Sequence, residues 1–160
     1  MDPIIIAPDM SDAARVLPGQ IRLAELKQGE WSFTGTVAIR ELPRVRAACA
    51  GHAAPADVDI HLRVERSTRG PVLIDGRIAG VLPLQCQRCL GICEWRFELR
   101  PALEVVRGGT QACDTESGRE PLELAEEGLL APRILIEDEI LLALPMAPRH
   151  AVGQCQPPQP

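Results

Sequence analysis

Aromatic residues are scarce in this chain. Its 160 positions hold two Trp, two Phe and no Tyr. A surface that reads single strands by stacking bases needs exposed rings, and Trp31, Phe33, Trp95 and Phe97 are too few to build one. Lysine is almost missing, since Lys27 is the one cation that is not arginine. An excess of positive charge is missing too. The net charge is −5 and the pI about 5.2, which excludes a general nucleic-acid binder with an overall basic surface. No run of about 18 apolar residues occurs, so no membrane span is expected. The opening Met1-Asp2-Pro3-Ile4-Ile5-Ile6 is acidic, with an apolar run too short for a signal peptide. A P-loop, a GxGxxG and a GxSxG are all absent, and His52 and His61 stand near no nucleophile. These absences predict a cytoplasmic protein with no membrane partner, and they leave no motif that points to a small-molecule substrate.

What is present suits one globular domain. Apolar residues make up 46 % of the chain and charged residues 24 %, so the core must be built from Leu, Ile, Val and Ala. Fifteen Pro and thirteen Gly imply many turns. Charge is uneven: residues 1–110 hold fourteen basic and thirteen acidic groups, residues 111–160 three and nine.

The pattern predicts an α+β domain, an antiparallel sheet of four or five strands carrying a C-terminal helix at about 132–144 and a shorter one at about 40–50. Residues 1–20 read as an irregular lead-in, 21–150 as the domain, and 151–160 as a Pro/Gln-rich tail, extended and frayed from Pro145 onward. Val58, Ile60, Leu62 and Val64 alternate with polar residues, the period of a half-buried strand. A strand is expected over Trp31–Ile39, with Gly35 marking a bulge or a close approach. Two more are expected over Val72–Leu84, interrupted at Asp75-Gly76 and at Pro83, and over Glu94–Val106, with an edge or bulge at Pro101. Sequential antiparallel pairing is the economical topology. Residues 107–120 form a polar loop, Pro121–Leu124 a short strand, and Pro132 suits the first turn of the last helix.

Six cysteines remain. In a reducing compartment, close pairs favour metal or redox chemistry over disulfides. Cys86-Gln87-Arg88-Cys89-Leu90-Gly91 is a C-x2-C pair at a turn between two strands, where Gly91 would supply positive φ. His150 and Cys155 form an H-x4-C pair near the C-terminus. Together they give C-x2-C-x60-H-x4-C, the donors of a closed Cys3His zinc site. Cys93 and Cys113 are rival ligands, and Cys49 fits a helix core. Three readings stand open: a structural Zn2+ module, buried or spectator thiols, and a thiol redox pair. The last lacks the βαβ setting usual for such motifs.

Two charged sets are candidates for partner contact. Arg88, Arg96 and Arg100 could touch RNA phosphate or simply be solvated. Glu137, Asp138 and Glu139 point about 100° apart on a helix and cannot share one site; they read as a solvated face or a patch for a basic protein.

The segment Leu84-Gln85-Cys86-Gln87-Arg88-Cys89 after a strand, taken with Glu137-Asp138-Glu139-Ile140-Leu141-Leu142-Ala143-Leu144-Pro145 and then Pro148, His150 and Cys155, resembles the YceD family. These are the bacterial large ribosomal RNA subunit accumulation proteins. The resemblance covers roughly residues 20–155. It implies a cytosolic, non-enzymatic factor needed for normal 23S rRNA accumulation, with a large-subunit precursor, 23S rRNA or a ribosomal protein as partner. It also marks departures: Ala131-Pro132 stand where members often carry an Asp before the last helix, and cysteines are not universal in the family.

Overall fold

Alternating burial along one long strand organises the molecule. The computed structural model describes residues 16–26, 29–51, 56–66, 70–106, 115, 117–124 and 128–155. The lead-in up to residue 15, most of the 107–120 loop with Cys113, and residues 156–160 lie outside that set, as does His52. Strand β3 (Asp57–Arg66) buries Val58, Ile60, Leu62 and Val64 and exposes the residues between them, as its period of two demands. Full burial of each such side chain contributes about 1.5–3 kcal/mol. On one side β3 pairs antiparallel with β2 (Glu30–Ala38); on the other it pairs antiparallel with β4 (Val72–Gln85). The β2–β3 register runs unbroken from Glu30↔Glu65 to Ala38↔Asp57, so Gly35 marks no bulge. It is a close approach: a Cβ there would lie 3.1 Å from the Phe33 ring.

Strand β4 is continuous, which corrects the expected interruptions at Asp75-Gly76 and Pro83. The Pro83 carbonyl accepts from Ala50 N–H at 2.8 Å. The side of β4 where a Pro83 N–H would point therefore faces a loop and not β5, and its absence costs no ladder bond. The opposite edge of β4 pairs with β5 (Ile92–Leu99) and β6 (Ala102–Val106) in one register, Ile78↔Leu99 and Asp75↔Ala102. Pro101 splits that partner strand without a bulge. Gly76 N–H donates to Pro101 O at 3.0 Å, but proline has no N–H to return the bond. Gly76 is small because Pro101 crosses it: a Cβ would stand 3.1 Å from Pro101 Cγ and 3.2 Å from His61 O.

Strand β7 (Glu120–Glu123) pairs with β6 in parallel, the exception to sequential antiparallel pairing. Glu104, buried on β6, accepts from the N–H and hydroxyl of Ser117 and so anchors the segment leading into β7. Short strands β1 (Ile21–Arg22) and β8 (Leu129–Leu130) form a separate antiparallel pair.

Two helices sit against the sheet. Helix α1 (Pro43–Ala48) follows a 3-10 turn, with Pro43 in its first turn, and is shorter than the expected 40–50. Helix α2 (Pro132–Ala143) begins at Pro132 as its sequence predicts and buries Leu135, Ile136 and Ile140. The architecture is thus α+β, with a mostly antiparallel sheet and a C-terminal helix. Among the described residues no helix is long and apolar enough to cross a membrane.

Candidate metal centre

The β4–β5 connection is a four-residue turn, Gln87–Leu90. Cys86 N–H donates to Gly91 O at 2.8 Å, and Leu90 N–H to Cys86 O at 2.9 Å. The left-handed residue is Leu90, at φ 59°, and not Gly91 as the sequence suggests. Gly91 stands beside the site, where a Cβ would be in ordinary contact with Cys89 Sγ at 3.5 Å.

The segment after α2 folds back onto this turn. Gln87 N–H donates to Pro148 O at 2.9 Å. A turn at Gly153 (φ 85°), closed by Gln154 N–H to Ala151 O at 3.1 Å, returns the chain to the cluster. Residues 145–155 are therefore seated, which corrects the expectation of a frayed segment from Pro145.

Cys86, Cys89, His150 and Cys155 converge, with their ligand atoms all within 4.8 Å of one another. Cys86 Sγ lies 3.8 Å from Cys155 Sγ, and Cys89 Sγ 3.4 Å from His150 Nδ1. A tetrahedral ion with bonds of about 2.3 Å to sulfur and 2.0–2.1 Å to nitrogen sets those edges at about 3.8 and 3.5 Å. The cluster can hold a metal. His150 Nε2 lies 2.9 Å from Ile92 O. A carbonyl only accepts, so Nε2 carries the proton and Nδ1 presents its lone pair to the sulfurs, the tautomer that ligation requires.

Electrostatics divide the sulfurs. Backbone N–H groups, that of Cys89 foremost, hold the buried Cys86 thiol down at about 5, while burial and the neighbouring sulfurs push Cys155 up to about 11. Arg88 N–H, 3.5 Å from Cys86 Sγ, is one of the donors. A metal would favour ionisation of Cys155 against that burial.

The rival thiols lie elsewhere. Cys93 is on the buried face of β5, directed at Leu84 O at 3.5 Å, and Cys49 is directed at Val45 O in α1. Burial raises both thiols.

The charged candidates are not brought together. Arg96 pairs with Glu94 at 3.0 Å and Arg100 with Glu98 at 2.6 Å, both on the outer face of the sheet. Arg88 is exposed in the turn with no ion pair among the described residues. Glu137 is buried, which overturns the solvated-face reading for that residue. Its Oε1 accepts from Arg44 N–H at 2.7 Å, supplying from α2 a partner for an orphan donor in the first turn of α1. Asp138 pairs with the Arg44 guanidinium at 2.5 Å. Glu139 is half-buried and its carboxyl is raised by that burial and by Glu120 and Asp138. Sequence reasoning passed over Arg149, which precedes the ligand His150 and is exposed at the same turn; its signal was that adjacency.

A family model described as large ribosomal RNA subunit accumulation protein YceD matches residues 74–160, more than half of the chain. That range contains all four residues of the cluster. The chain belongs to the YceD family. The protein of that description from Haemophilus influenzae is 27 % identical over 129 residues, covering 81 % of this chain and 73 % of its relative. No solved structure matches the chain.

Proposed function

We propose that this protein is a cytoplasmic, non-enzymatic factor supporting 23S rRNA accumulation and large-subunit biogenesis. It acts by binding rRNA, a pre-ribosomal particle or a ribosomal protein, and Cys86, Cys89, His150 and Cys155 hold a structural Zn2+. The observation that carries this reading is the coincidence of the family match with the ligand set, because residues 74–160 run from β4 through the turn to Cys155. Three sulfurs and one imidazole nitrogen are a donor set that suits zinc, and four protein ligands leave no open position for a substrate or an activated water. The ion therefore holds structure. It ties the segment after α2 to the β4–β5 turn and presents the two as one surface.

The test is a deletion strain. The 23S-to-16S rRNA ratio is expected to fall and to recover with the wild-type gene; an unchanged ratio contradicts the reading. A second reading, a zinc-stabilised interaction module unrelated to ribosomes, is favoured by the same ligand geometry and would survive that result.

A further inference from the structure

The turn that bears Cys86 and Cys89, with the segment that bears His150 and Cys155, differs in composition from the rest of the molecule. Residues 84–93 and 144–155 contain no Asp or Glu, although the chain has 22. They do contain Arg88 and Arg149, both exposed and neither in an ion pair among the described residues. One backbone bond joins their immediate neighbours, Gln87 N–H to Pro148 O at 2.9 Å. A peptide step of 3.8 Å on either side keeps the two arginine Cα atoms within about 15 Å. Two long side chains at that spacing reach one short stretch of sugar–phosphate backbone. Around them stand exposed apolar side chains, Leu90 at 64 %, Ile92 at 59 % and Val152 at 105 % of full exposure.

We infer that this tip is an RNA contact, in which Arg88 and Arg149 bind neighbouring phosphates of a structured RNA. The inference rests on the rRNA reading above and deepens it by naming the partner's chemistry and the residues that meet it. Charge complementarity favours this occupant. Three thiolates on a dication leave one negative charge, and the two arginines turn the tip positive while the rest of the chain is acidic. A guanidinium offers forked donors that match phosphate oxygens. Neither segment has a Trp, Tyr or Phe, and the His150 ring is engaged by Cys89 Sγ and Ile92 O, so bases are not stacked there and recognition is of backbone and shape. The apolar side chains lie against sugar edges.

The experiment uses the full-length zinc-loaded protein and labelled transcripts that tile 23S rRNA. Wild type should bind at least one transcript. The double variant Arg88→Ala/Arg149→Ala should lose about tenfold or more in affinity, and the slope of log K against log salt should become shallower by about 0.7–0.9 per arginine removed. Its zinc content and melting temperature should be unchanged, which separates lost contact from lost structure. Arg96→Ala/Arg100→Ala should bind within about twofold of wild type, since both side chains are already paired with acids on the sheet. Absence of binding by wild type, or equal binding by Arg88→Ala/Arg149→Ala, overturns the inference.

Complementation separates this failure from failure of the parent reading. If deletion lowers 23S rRNA and the Arg88→Ala/Arg149→Ala allele restores it, the RNA contact is wrong while the accumulation role stands. If deletion leaves the ratio unchanged, the parent reading and this inference fall together. Loss of complementation without any RNA binding would assign the tip to an acidic protein and overturn the RNA assignment.

Discussion

Arg96 and Arg100 stand on the outer face of the sheet, Arg88 and Arg149 at the β4–β5 turn, and the two pairs have opposite surroundings. On the sheet, alternation puts every second residue outward, and Glu94 and Glu98 share that face with the arginines they neutralise. At the turn, three cysteines and a histidine that could hold a metal converge, and neither segment that brings them there contains a carboxylate. The sheet is held by what its strands bury, whereas the turn and the segment after α2 meet through a backbone hydrogen bond and four side chains drawn from positions about 60 residues apart. A residue type alone therefore does not mark a contact site. Whether its neighbours have already satisfied it does.

The largest expected effect breaks that contrast at its metal end. Cys86→Ala or Cys155→Ala should reduce bound zinc from one ion per chain to almost none. Loss of the closure should destabilise the fold by about 3 kcal/mol or more. At about 2–4 °C per kcal/mol for a chain of this size, melting falls by at least about 6 °C. Hydrogen exchange should show the 149–155 amides losing protection while those of β3 keep theirs. Loss of protection throughout β3 would show that the sheet is not self-sufficient.

Next comes Glu137→Ala, which leaves Arg44 N–H without its carboxylate and should cost about 2 kcal/mol by chemical denaturation. Asp138→Ala, at an exposed pair, should cost less than about 1 kcal/mol. Equal costs would mean that burial of Glu137 is not what matters. Smaller still, Arg96→Ala should change stability by no more than about 0.5 kcal/mol.

Acidity probes the centre separately. Cys155, raised to about 11 by burial and the neighbouring sulfurs, must lose a proton to ligate, so zinc affinity should climb as pH rises through the neutral range. Cys86, held at about 5, is already anionic there and contributes no proton release above that value. Titration with a competing chelator between pH 6 and 8 checks the sign; a flat affinity contradicts it.

Much of the framework was legible because its causes are local. The alternation of Val58, Ile60, Leu62 and Val64 and the first-turn prolines Pro43 and Pro132 act through neighbours in sequence. The convergence of Cys86, Cys89, His150 and Cys155 was legible for a different reason: C-x2-C and H-x4-C each fit one turn, and a closed site would need both. What escaped depends on contacts between distant segments. The continuity of β4 through Pro83 depends on which edge of the strand faces a loop. The burial of Glu137 depends on α1 beginning far away in sequence, where the open N–H groups of its first turn need a partner. Leu90, and not Gly91, takes the left-handed turn position.

X-ray absorption at the zinc edge of the purified full-length protein tests the central claim most directly. The account predicts one zinc per chain, with three sulfur scatterers at about 2.3 Å and one nitrogen at about 2.0–2.1 Å. A metal-free protein, or a first shell of oxygen and nitrogen alone, would contradict it.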